Sequence, residues 1–201
     1  MLAALIQGRS GRYRDHHWMN RLAFLLIYGL IVNWAMVGLS VNHIHNAWLA
    51  DQGYFIESLL TLWVLAALGR RKLPRALLLA SAGGVVASAA WDAWRIGLRG
   101  IWPVAETTAG SIQLGLCLWL LFDLLLADDP EPTWHQPTFW LLSSWALMHA
   151  IDLTFYPIRN FILQGLSREW ILIPSFAKYV IGLLLNLGVA RTFLCPKPSS
   201  S

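Results

Sequence analysis

Charge is what this sequence has least of: Asp, Glu, Lys and Arg make up 13% of 201 residues, whereas 57% are hydrophobic. That balance excludes an ordinary soluble domain and points to an all-α integral membrane protein. Cysteine is almost absent. Cys117 lies within an apolar run and Cys195 near the C-terminal membrane edge, so neither a disulfide framework nor a CxxC metal pair is available. HExxH and twin-histidine helix motifs are also missing, and no motif requires a cofactor. No composition break marks a second domain, a disordered linker or a signalling module, so residues 1–201 read as a single transmembrane domain.

What the chain does have is long apolar runs, at 22–41, 54–69, 75–95, 106–127, 138–157 and 170–194, each taken as a membrane span. The second is short and the last long. The first follows Arg9, Arg12, Arg14 and Arg21 and reads as a retained span, because it exceeds the apolar core of a signal peptide. Twelve Trp, many beside the runs, suit the headgroup level. With the N-terminus inside, Arg9, Arg12, Arg14, Arg21, Arg70, Arg71, Lys72, Arg75, Arg191 and Lys197 face the cytoplasm, against Arg95, Arg99, Arg159 and Arg168 outside. The expectation is a six-transmembrane-helix bundle in a cytoplasmic (inner) membrane, with both termini cytoplasmic. Positive-inside topology explains the net +4, so nucleic-acid binding is not implied.

A threefold hairpin repeat is a further expectation. Residues 56–65 and 112–121 align without gaps, each with a polar residue, Glu57 or Gln113, six positions before a Trp. Segments 74–81 and 137–144 share a weaker pattern, and each is followed by an aspartate, Asp92 or Asp152. Matches between apolar helices also arise by chance, because Leu and Trp are abundant. Membrane folds do often carry internal repeats.

The ionisable residues within or beside the spans gather in the outer half: His43, His45, Glu57, Asp92, Glu106, His149, Asp152 and Lys178. Charges in hydrocarbon are expensive and mark functional sites unless they pair structurally. Spacings of three and four place polar groups on one face of each helix. The series are Trp145, His149, Asp152, Tyr156 and Arg159; Ser81, Gly84, Ser88, Asp92, Arg95 and Arg99; Glu106, Gly110, Gln113 and Cys117; Ser175, Lys178, Gly182 and Asn186; and Tyr54, Glu57, Ser58 and Thr61. The first run adds Asn33 and Ser40.

The leading expectation is a membrane-embedded enzyme doing acid/base chemistry on a lipid or isoprenoid-like substrate, in a polar pocket open to the outside. Carboxyl groups removed from water hold protons readily, and imidazole relays them. Asp152, His149 and Asp92 are the catalytic candidates. Glu57, Lys178, Gln113, Arg95 and Arg159 are substrate-binding candidates, with Trp91, Trp94, Trp145 and Tyr156 as aromatic walls able to face a cation. The alternatives are a small proton-coupled transporter, a metal- or haem-binding protein, or a structural subunit of a larger complex. His43 and His45 are weak metal candidates, since HxH spacing suits a loop. Pro157 and Pro174 are candidate helix breaks for transport. The expected partners are the lipid bilayer, a small hydrophobic or amphipathic ligand, and a second copy or a membrane complex. A self-paired structural network of these acids and bases accounts for the same residues without any ligand.

Overall fold

The computed structural model describes residues 17–42, 47–69, 73–98, 102–127, 132–163 and 168–192, leaving undescribed the side chains of 47, 156–163 and 168–179. Among these residues there are six α-helices and no strand: α1 (His17–Val41), α2 (Ala47–Leu68), α3 (Arg75–Ile96), α4 (Pro103–Leu126), α5 (Pro137–Leu163) and α6 (Arg168–Thr192). Three of them, α1, α3 and α4, are long and apolar enough to cross a membrane. At about 1.5 Å per residue each exceeds the roughly 30 Å of a hydrocarbon core.

Local signals set several helix ends. Pro103 and Pro137 occupy the first position of α4 and α5, where a missing amide proton leaves nothing unsatisfied. Gly97, at φ 85°, ends α3 in a backbone conformation that L side chains rarely adopt, while its amide still bonds to Ala93 O. Three helices run well past their apolar stretches, α1 starting at His17 rather than at 22. Helix α2 starts at Ala47 rather than at 54, because Asp51 is buried and Gln52 donates to Leu98 O at 3.0 Å, so polar residues prolong the helix. Neither Pro157 nor Pro174 interrupts its helix: α5 continues to Leu163 and α6 runs unbroken from Arg168. Proline removes a single amide donor, which an apolar helix tolerates when its other turns are intact.

The chain forms two compact units, divided inside α4 between Gln113 and Leu114. In the N-terminal unit α2 packs against both α1 and α3. A Cβ added at Gly53 would lie 2.8 Å from Val32 Cγ1, so α1 and α2 approach closely there, and Tyr28 OH donates to Gly53 O at 3.3 Å. Farther along the pair, Arg21 Nη1 donates to Trp63 O at 2.8 Å, with its guanidinium 4.6 Å from the centroid of the Trp63 ring. In the C-terminal unit α5 packs against α6, and a 3-10 turn at Thr133–His135 leads into α5. Trp140 Nε1 donates to Trp134 O at 2.8 Å, and Arg191 stacks 5.1 Å from the Trp140 ring centroid. Ser144 meets Gly188, whose missing side chain admits the Ser144 hydroxyl. These contacts run in opposite senses along α5 and α6, as in an antiparallel hairpin.

Burial departs from that of a soluble protein on both sides of the surface. Beside an apolar core that includes Leu22, Val64, Leu65 and Leu141, the polar Ser58, Asp92, Gln113, His149 and Asp152 are buried, whereas Ile31, Trp34, Leu79, Trp94, Phe122 and Leu184 are exposed. On α1 the exposed apolar residues Phe24, Ile27, Ile31, Trp34, Val37 and Val41 follow helical spacing and form one continuous stripe. An apolar stripe of that length facing water would be a large liability.

Candidate functional site

Each unit has its own cluster of buried polar side chains. In the N-terminal unit, the inward positions of α2 carry Asp51, Ser58 and Thr61, those of α3 carry Ser81, Ser88 and Asp92, and the first turns of α4 carry Glu106 and Gln113. Each set repeats at three, four or seven residues, so the helix itself aligns it on one face. Asp92, 1% exposed, accepts a hydrogen bond from the Ala105 amide at 2.8 Å. Ala105 is the third residue of α4, the position an N-cap side chain normally satisfies. Trp102 precedes Pro103 and has no acceptor to offer, so a carboxylate from α3 takes that role and places an acid at the positive end of α4. Trp102 is itself fixed, with Nε1 donating to Gly97 O at 3.1 Å and its ring packed with Ala89, Ala105 and Phe55. Gln113, 1% exposed, donates to Ser58 O at 3.1 Å and ties α4 to α2.

In the C-terminal unit the cluster lies on α5, where Trp145, His149 and Asp152 follow one another at spacings of four and three on the buried face. His149 is 4% exposed, and neither ring nitrogen has a hydrogen-bond partner among the described residues. Asp152 acts on it electrostatically. Ser144 is buried five residues before His149, on another face of α5, and Thr192 is buried at the end of α6.

The substrate-binding candidates are less uniform. Glu57 is half-buried. Arg95 is exposed and lies 5.8 Å from the centroid of the Trp91 ring. Trp91 and Trp94 are exposed as well, Trp94 by 77%, with ring centroids 5.4 Å apart. Of the four aromatic residues expected to wall a pocket, Trp145 is buried and these two are on the surface. Tyr156, Arg159 and Lys178 belong to helical backbone, but their side chains lie outside the described residues, as do His43 and His45 entirely. No group of three or more His, Cys, Asp or Glu side chains suited to a metal ion occurs among the described residues.

Polar side chains do not line the interior on every helix. Asn33 and Ser40 on α1 and Asn186 on α6 are exposed. Asn33 donates to Gly29 O at 2.7 Å and Asn186 to Gly182 O at 2.9 Å, so each amide is satisfied by its own helix one turn back. Conversely, Asp51, Ser144 and Thr192 are buried polar residues that the apolar runs did not single out. Spacing was the available signal for Asp51, which stands three and seven residues before Tyr54 and Ser58. No known family, curated protein or solved structure matches this chain, so the residues themselves carry the functional reading.

Proposed function

We propose that the chain is a six-span integral protein of a cytoplasmic-type membrane, both termini inside, that performs acid/base chemistry on a lipid or isoprenoid-like molecule. The observation that carries the membrane part is the pairing of exposed apolar with buried polar side chains: Ile31, Val86 and Leu118 outward, Asp92, Gln113 and His149 inward. Lipid solvates the first set and disfavours the second, which therefore turns inward. Helices α2, α5 and α6 complete the six spans in this reading, and three outward-then-inward hairpins describe their order.

The chemistry is assigned to the α5/α6 hairpin. Asp152 is the proton donor or acceptor, and His149, one turn away on the same buried face, is the relay. The Trp140/Arg191 and Ser144/Gly188 contacts define a register between the helices. Lys178, whose side chain lies outside the described residues, is assigned to orient the substrate. Asp92 serves as the anchor of α4, and any proton transfer by it is additional to that role.

The test is turnover by protein reconstituted in vesicles with extracted membrane lipids. A new product is expected from the wild-type chain, with at least a hundredfold loss in Asp152→Asn and His149→Ala, in line with general acid/base contributions of about 10²–10⁴. Unchanged turnover in both variants would refute the assignment. Uptake of solute without a new product would point to transport instead.

A further inference from the structure

We propose that α1 carries a self-complementary seam, Leu30, Asn33, Val37 and Ser40, through which two copies of this chain pair in the membrane. The inference rests on the membrane-embedded reading and is independent of the chemistry assigned to α5. The four residues follow one another at spacings of three, four and three, the alternation that keeps one helix face turned toward a parallel partner. All four are exposed within one copy. The helix meets α2 on another side, marked by the contacts of Tyr28 and Val32 with Gly53. Ile31, two positions before Asn33, points to nearly the opposite side and stays toward lipid.

Asn33 makes the seam specific for a second copy. It stands near the middle of the apolar run 22–41, and its side chain makes one hydrogen bond among the described residues, Nδ2 to Gly29 O at 2.7 Å. One N–H and the Oδ1 acceptor remain. Hydrocarbon answers neither, so an amide at this depth favours a polar partner. Copies inserted with the same orientation are related by a twofold axis along the membrane normal, and Asn33 then faces the same residue of the second copy at the same depth. Each amide donates its free N–H to the other's Oδ1. A single Asn on such a seam also fixes register and copy number. Beside it, nothing lies within 4 Å of where a Cβ at Gly29 would stand, which leaves room for a neighbouring backbone to approach.

Asn186 repeats the local arrangement, with Nδ2 donating to Gly182 O, yet it does not offer an equivalent seam. It lies close to Arg191 and the Thr192 end of α6, where water satisfies an amide, and Val189, three residues on, is buried.

The experiment measures energy transfer between full-length chains carrying donor or acceptor fluorophores on a C-terminal tag, reconstituted together in phosphatidylcholine vesicles at decreasing protein-to-lipid ratio. Transfer in the wild type is expected to stay above random proximity as the lipid is increased. Asn33→Leu should weaken association by about fivefold or more, in line with interhelical hydrogen bonds in membranes. Asn33→Gln keeps the amide and should retain most of the association, and Asn186→Leu should leave it unchanged. In a background with both native cysteines replaced by Ala, Val37→Cys should cross-link two copies and Ile31→Cys should not.

Wild-type transfer no greater than random proximity would leave the seam to lipid or to a different protein and overturn the proposal. Undiminished association in Asn33→Leu, an equal loss in Asn186→Leu, or cross-linking through Ile31→Cys in preference to Val37→Cys would each do the same. A nitroxide at Ile31 separates the two readings. Collision with oxygen in a chain that does not associate keeps the membrane reading and removes the seam, whereas collision with a water-soluble chelate removes both.

Discussion

Asp92 shows how a charged residue in an apolar helix acquires a structural task. Its carboxylate satisfies the Ala105 amide in the first turn of α4, where neither Trp102 nor Pro103 can help. Asp92→Ala should lower stability by about 1–3 kcal/mol, because it orphans a buried amide. Asp92→Asn keeps an acceptor at the same place and should recover most of that loss in thermal unfolding. If turnover is also measured, a purely anchoring Asp92 tolerates Asn, whereas a proton-transferring one does not. The sequence singled out Asp92 as a catalytic candidate; the structure pairs it with a backbone amide. Position on a helix was legible, whereas a partner thirteen residues away across a turn was not. His149 and Gln113 were legible for the same reason, since a buried polar residue on a helical series stands out. Asn33 and Asn186 misled because an amide can bond its own helix one turn back, which spacing does not reveal.

The helices themselves were the most legible elements, since apolar runs and prolines mark them directly. Their ends were less so: α2 extends past its apolar stretch through Asp51 and Gln52, and α5 runs through Pro157. Hydropathy reports where a segment prefers lipid, whereas hydrogen bonding decides where it stays helical. Close approach between helices is likewise a matter of tertiary contact. Gly53 faces the branched Val32 side chain, whose χ1 is nearly fixed in a helix, so Gly53→Ala should cost about 1–3 kcal/mol through overpacking. Gly188 faces the Ser144 hydroxyl, which can rotate away. There, the gain of about 1 kcal/mol in helix propensity on going to Ala offsets the crowding. Gly188→Ala is therefore expected to be near neutral, and unfolding of the two variants in the same detergent checks the contrast. Equal destabilisation would mean that Ser144 is held as rigidly as Val32.

Across the molecule, α3 and α4 show most clearly how polar faces turn inward and apolar faces outward. The faces of α3 and α4 carrying Ser81, Ser88, Asp92, Glu106 and Gln113 are buried, as spacing predicted, and the opposite faces present Leu79, Val86, Trp94, Leu118 and Phe122. On α1 both faces are apolar, Leu22 and Leu25 inward and Ile31 and Trp34 outward, which is why the polar stripe expected there has no counterpart. A charge placed on the outward face midway along α1 should therefore impair insertion. Ile31→Arg is expected to cost about 3–4 kcal/mol on the insertion scale, measured as the fraction of α1 that spans when synthesised into membranes. Normal insertion of that variant would argue that Ile31 does not meet lipid.

The most direct measurement attaches nitroxide labels singly at Ile31, Val86 and Leu118 in protein reconstituted into vesicles, then compares their collision rates with oxygen and with a water-soluble nickel chelate. All three positions should collide often with oxygen, which concentrates in lipid, and rarely with the chelate. High chelate accessibility at these positions would place the apolar faces in water and contradict the membrane-embedded reading on which the rest depends.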